Sequence, residues 1–190
     1  MRRPALIAFL VAIALGPGAQ AATVAYALDP AASTVAFETD FGSDLITGSI
    51  PLLVANLNLD FDNVRNCTIA VELDTAGAQA SFPFAVQALK GPKVLDAKAY
   101  PRITFTSTSI QRAGEAADVT GNLTIRGVTK PVTLRAEIFR PKGSAADDFS
   151  RLTVRLTGRV NRSAFGATGW NDMVGDEVRI IITARIDAKG

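Results

Sequence analysis

The sequence predicts an all-β domain of roughly eight antiparallel strands. Three observations support that class. Apolar and polar residues alternate at period two through stretch after stretch, which lays the apolar groups of each strand on one face. Aliphatic and Thr content is high, and no long stretch repeats with a helical period. Gly, Pro and Asp-Asn signals punctuate the 190-residue chain at hairpin spacing, with no internal repeat and no linker.

The stretch 119–139 shows the pattern most plainly. Val119, Gly121, Leu123 and Ile125 alternate with Thr120, Asn122 and Thr124. Val132, Leu134, Ala136 and Ile138 then alternate with Thr133, Arg135 and Glu137. Between them Gly127 can take the positive φ of a tight reversal. Pro131 lacks an N–H and suits a strand's first residue, so the second arm is expected to begin near Val132.

The other elements follow in chain order. Arg2 and Arg3, the apolar run 5–15, the breakers Gly16-Pro17 and the small-x-small Ala19-Gln20-Ala21 form a three-part export signal. Residues 1–21 are therefore expected to be removed, leaving one domain over 22–190 without a membrane-spanning segment. After a turn at 30–32, residues 33–39 read as a strand with Val35 and Phe37 on one face. Residues 41–44 are a loop. Residues 45–53 form a strand interrupted by Gly48 and Pro51. Leu57, Leu59 and Phe61 alternate again, and 67–73 is a regular strand in which Cys67 is in phase with Ile69, Val71 and Leu73.

Residues 76–99 break the strand pattern. A short helix is expected after Pro83, stopped by Gly91-Pro92, with Val94 and Leu95 in a second short turn or helix. A strand over 102–107 carries Ile103 and Phe105, and Ala113-Gly114 turns into the hairpin already described. Leu152, Val154, Leu156, Gly158 and Val160 alternate in a long strand. Residues 161–175 are irregular and hold the sole Trp, Trp170. The last strand carries Val178, Ile180, Ile182, Ala184 and Ile186. Such a set closes as a barrel or stacks as a sandwich, and a small barrel is either filled or holds one ligand.

Composition excludes several functions. The signal takes two of the 20 Lys+Arg, leaving 18 against 18 Asp+Glu and a formal charge of zero. That balance argues against a nucleic-acid partner. Cys67 is the sole Cys, so there is no internal disulfide, and it reads as a small buried hydrophobe. The chain has no His, which removes Ser-His and Cys-His catalysis and His-ligated zinc. Glu38, Asp40 and Asp44, and likewise Asp172, Asp176 and Glu177, lack metal-loop spacing. No catalytic and no metal-ligating residue is assigned, and no enzyme is expected.

Four stretches together resemble the YceI-like family of exported lipid-binding proteins. The first is Tyr26-Ala27-Leu28-Asp29 with Ser33 and Phe37. The second is Leu89, Val94-Leu95-Asp96 and Tyr100-Pro101-Arg102-Ile103-Thr104-Phe105. Residues 121–132 form the third. The fourth is Asn161-Arg162, Phe165-Gly166 and Val174-Gly175-Asp176-Glu177-Val178. The family often has His where this chain has Ala32, and paired aromatics where it has Val94 and Leu95.

The resemblance implies an extended eight-stranded, lipocalin-like barrel with one or two short helices, a bacterial periplasmic address and a long apolar cavity. Its lining would come from Phe37, Phe105, Leu123, Leu134, Leu156 and Ile180 on strands. Phe84, Leu89, Val94 and Leu95, with Phe82, would form a covering lid, and Phe165 and Trp170 would join from the C-terminal loop. Tyr100, Asn161, Arg162 and Asp172 are candidates for holding a polar head. The expected partner is a small amphiphile: an isoprenoid, an isoprenoid quinone or a fatty-acyl lipid, bound as ligand with no cofactor. A homodimer is left open. The alternative is a solid-core barrel acting as a protein-interaction or envelope stress module, and a cavity large enough for a lipid chain separates the two.

Overall fold

The computed structural model describes residues 23–189; the expected signal and its cleavage site lie outside the described residues. The strands are β1 (Val24–Phe41), β2 (Asp44–Ser49), β3 (Leu52–Leu59), β4 (Thr68–Asp74), β5 (Gln79–Ala80), β6 (Arg102–Ala113), β7 (Ala116–Ile125), β8 (Val128–Phe139), β9 (Arg151–Asn161) and β10 (Val174–Ala188). The helix α1 (Pro83–Lys90) lies between β5 and β6. Neighbours run β10-β9-β8-β7-β6-β4-β3-β1, and β10 pairs back onto β1. The sheet is therefore an eight-stranded antiparallel barrel, closed on itself. Closure pairs the strand groups that an open sheet would leave at its edges.

The eight members are not all single strands. β3 pairs with β1 at Val24, Ala25 and Tyr26, and β2 pairs with β1 from Ala36 to Phe41. β2 and β3 are thus one bent member, broken at Ile50-Pro51, and β5 adds two residues beyond β2. The sequence reads 45–53 as one interrupted strand and 57–61 as another; the structure breaks the first at Ile50-Pro51 and runs Leu52 and Leu53 straight on to Leu59 in β3.

Three further expectations change or narrow in the structure. The turn at 30–32 is a bulge inside β1, with a register shift between Asp29 and Thr34. The Asp29 carboxylate accepts the N–H of Ala31 at 3.0 Å and of Ala32 at 3.3 Å, which stabilises the kink. Of the turn or helix expected at Val94 and Leu95, the structure has the turn. The Val94 N–H donates to the Gly91 carbonyl and the Leu95 N–H to that of Leu89, folding the chain back on the end of α1.

The third change is at β8, which begins at Val128 and runs through Pro131. Arg126 and Gly127 both have positive φ, 51° and 72°, which makes the reversal a two-residue turn of the primed kind. The turn closes on the Ile125–Val128 pair, so hydrogen-bonded and non-hydrogen-bonded pairs alternate from there. Pro131 opposite Asn122 falls on a non-hydrogen-bonded pair. β9 pairs with β8 only from Arg135 onward, so no ladder needs the missing N–H.

Elsewhere the local signals hold. α1 has Pro83 in its first turn and Gly91 at its C-cap. A register shift between Ser107 and Ser109 lets β6 run on to Ala113, so Ile103 and Phe105 share the inner face with Ile110 and Arg112. Buried residues gather in two groups. One centres on Ile103, Phe105, Val119 and Phe165 toward α1, the other on Tyr26, Leu59, Leu152 and Ile186 at the opposite end.

Candidate functional site

The inward phase of the strands surrounds a cavity of about 980 Å³. Three glycines keep its bore wide. A Cβ on Gly121 would lie 2.4 Å from the Phe105 ring, one on Gly48 2.3 Å from the Phe37 ring, and one on Gly158 2.4 Å from Leu134 Cδ2. Each large side chain lies flat over a bare backbone instead of projecting across the lumen. The solid-core alternative therefore does not describe this barrel, whose volume is that of a ligand pocket.

All of the apolar residues expected to line a cavity do line it: Phe37, Phe105, Leu123, Leu134, Leu156 and Ile180 along the wall, with Phe84, Leu89, Val94, Leu95, Phe165 and Trp170 at one end. Phe84 also faces solvent, with 65% of its surface exposed, so the wall there is one side chain thick. The Phe82 ring leans toward Phe41 at 6.5 Å.

The four head-group candidates are not brought together. Tyr100, Asn161 and Asp172 are exposed and do not line the cavity, whereas Arg162 does. Arg162 is 8% exposed. Its Nε donates to the Gly175 carbonyl at 2.8 Å, Nη1 to Ala167 and Gly169 at 2.7 Å each, and Nη2 to Val174 at 2.9 Å. The guanidinium thus ties the 162–175 loop to itself. Burial pulls its pKa below the ordinary arginine value, against the opposing charge of Asp176. Asp176 in turn accepts the Ser163 N–H and hydroxyl, both at 2.9 Å.

A second latch holds the same end. Arg126 Nη1 donates to the carbonyls of Pro92 at 2.8 Å and Val94 at 2.9 Å, and its guanidinium lies 5.8 Å from the Tyr100 ring centroid. The β7–β8 turn thereby grips the segment that follows α1. The carboxylates Glu38, Asp40 and Glu177 gather around Arg179, at 3.6, 2.8 and 3.8 Å, as an outer-surface ion-pair group.

The opposite end brings together Phe61, which alternation singled out, with Phe149 and Tyr26, which it did not. Phe61 stacks on Phe149 at 4.5 Å, and Tyr26 meets the edge of Phe61 at 5.9 Å. The Tyr26 hydroxyl donates to the Phe149 carbonyl at 2.8 Å, and burial pushes its pKa up, with Asp148 adding to the rise. Asp60 organises the neighbouring loop. Its Oδ1 accepts the N–H of Asn63 at 2.8 Å and of Asp62 at 3.0 Å, and its Oδ2 the Asn66 amide at 2.8 Å. Those bonds, the Asn63 one foremost, hold its carboxyl below the usual range. Cys67 lines the cavity, half-buried, and burial raises its thiol pKa. Arg112, Glu115 and Arg140 line this end of the cavity.

Comparison with known proteins places this arrangement. The family model for the YceI-like domain matches residues 26–186. The chain is 28% identical over 144 residues to protein YceI of Salmonella arizonae, covering 75% of this chain and 74% of that one. The crystal structure of BcnA from Burkholderia cenocepacia superposes with a TM-score of 0.75 at 24% identity, covering 84% of this chain and 99% of that one. A polyisoprenoid binding domain from Saccharophagus degradans superposes with a TM-score of 0.65 at 14% identity, covering 87% and 99%. At these identities the two solved structures share the fold.

Proposed function

Because the chain belongs to the YceI-like family, we propose that it is an exported carrier that sequesters one long-chain amphiphile, an isoprenoid or a fatty-acyl lipid, in the barrel lumen. The observation behind this reading is the apolar cavity of about 980 Å³, held open by rings lying over glycines. A chain moved from water into that lumen gains about 0.8 kcal/mol for each buried CH₂. Ten such groups give a gross gain of about 8 kcal/mol, and ordering costs return several of them. Among the described residues the lumen holds no assembled nucleophile and base, and binding rather than turnover is the proposed activity. The fold shared with a polyisoprenoid binding domain supports the ligand class, and the three-part signal supports a periplasmic address.

The test is native mass spectrometry with lipid extraction on protein purified from its own envelope, beside the Leu156→Trp variant. Leu156 faces the lumen and Arg155 faces solvent. Leu156→Trp is expected to keep its circular dichroism spectrum and bind a long-chain probe at least tenfold more weakly. Arg155→Trp is expected to bind as the wild type does. Wild-type protein that carries no lipid and binds none when offered would overturn the carrier reading.

A further inference from the structure

The charged groups that reach the cavity are Arg112, Glu115, Arg140 and Arg162. Arg162 is occupied by four backbone carbonyls. The other three lie together at the end away from α1, where the β6–β7 turn meets the end of β8. Their placement follows from strand phase. Arg140 continues the inward series Val132, Leu134, Ala136 and Ile138, and Arg112 follows Ile110 after the bulge in β6.

Among the described residues neither Arg112 nor Arg140 has a carboxylate within ion-pair distance, although Arg179, Arg135, Arg151 and Arg102 on the outer surface all do. Arg112 gives Nη2–H to the Phe61 carbonyl. The Arg140 guanidinium lies over the Phe149 ring, 4.6 Å from its centroid. That stack fixes the plane of the fork and leaves its edge donors free. Phe149 is itself stacked on Phe61 and bonded through its carbonyl to Tyr26, so the platform is rigid. Asp148 accepts the Ser150 hydroxyl and N–H on Oδ1 at 2.6 and 2.9 Å; those bonds and, after them, the charge of Arg140 from beyond ion-pair distance hold its carboxyl below the usual range.

We infer that Arg112 and Arg140 form the head-group site of the carrier and select amphiphiles with an anionic head, a phosphate or a carboxylate. The inference rests on the carrier reading and deepens it. The tail runs from this rim toward α1. The inward residues of β8 from Arg140 back to Val132 span roughly 27 Å at about 3.4 Å per residue, the length of a long-chain tail. Two planar forks at one end of the cavity suit the bidentate geometry of both oxyanions. Glu115 shares the rim and opposes the anion.

The experiment titrates lipid-stripped protein with matched pairs of one tail and two heads: geranylgeraniol against geranylgeranyl monophosphate, and hexadecanol against palmitate. The isoprenoid phosphate and the fatty carboxylate distinguish the two sources of the anion. At least one charged probe is expected to bind tenfold or more tighter than its alcohol, with the preference falling as salt rises. The Arg112→Gln, Arg140→Gln double variant is expected to lose that preference while binding the alcohol as before, which separates head recognition from damage to the barrel. Glu115→Gln is expected to strengthen the charged probe severalfold. Equal binding of alcohol and anion by the wild type, or a preference kept in the double variant, overturns the head-group site and leaves the carrier standing. Failure of every probe, alcohols included, overturns the carrier reading itself and this site with it.

Discussion

The two ends of the barrel use arginine in opposite ways. At the α1 end Arg162 and Arg126 turn their guanidiniums onto backbone carbonyls of the loops that cover the lumen. At the far end Arg112 has one carbonyl contact and Arg140 lies on an aromatic face. A cation whose donors are filled by carbonyls is part of the scaffold, because leaving those acceptors unpaired in a buried loop is costly. A cation with idle donors at a cavity rim is available to something else. Residue type and cavity lining do not separate the two roles; the hydrogen-bond ledger of each side chain does.

The most severe way to break this contrast is Arg162→Ala. It strands the carbonyls of Ala167, Gly169, Val174 and Gly175, and the expected loss of stability is on the order of 3 kcal/mol. Urea denaturation would measure it. A loss below about 1 kcal/mol would mean that water satisfies those carbonyls and that the latch is ornamental. Arg140→Gln serves as the opposite-end control and is expected to change the midpoint little.

Arg126→Asn sharpens the picture at the same end. Asn-Gly is the favoured pair for a primed two-residue turn, so the turn itself improves. The grip on the Pro92 and Val94 carbonyls is lost, and with it the contact with the Tyr100 ring. Global stability is therefore expected to stay within about 1 kcal/mol of wild type. Amide hydrogen exchange over 91–100 is expected to quicken severalfold. Unchanged exchange there would show that Arg126 holds nothing.

The smallest effect is at the far end and depends on pH. The folded pKa of Asp60 lies below its unfolded one, because its carboxylate accepts the Asn63 and Asp62 N–H groups and the Asn66 amide. Its contribution is therefore full above the ordinary carboxylate range and fades as pH falls through the folded pKa. Asp60→Asn is expected to be less stable than wild type at neutral pH, with the gap closing in acid. Thermal melts across that range would reveal it, and a gap that stays constant would contradict the assignment.

Much of the barrel could be read from the chain itself. Period-two alternation located the wall residues, including Gly121 and Gly158, and Pro83 and Gly91-Pro92 bracketed the helix. What was not legible depends on partners distant in sequence. Pro131 is tolerated because the turn places it on a non-hydrogen-bonded pair with β9 absent beside it, and neither condition has a local signature. The join between β2 and β3 is made by β1, which pairs with both. Arg162 attracts notice as a loop charge, but its partners are carbonyls, which every residue possesses. Arg112 and Arg140 do have a signal, the continuation of inward strand phase past the last apolar residue. For Arg112 that phase is visible only once the bulge at Ser107 is known.

The pairing of β1 with β10, from Tyr26 opposite Ala188 to Phe41 opposite Val174, also sets an order in time. Synthesis delivers β1 first and its closing partner last. The wall cannot be completed until the final fifteen-residue strand has emerged. The lumen is thus the last feature to form. Contacts this distant in sequence are slow to make, on the scale of milliseconds to seconds for β barrels. During that interval β1 and β9 both present open edges, the form of a sheet most prone to pair with another chain. A chain cut short before Val174 would be left permanently in that state.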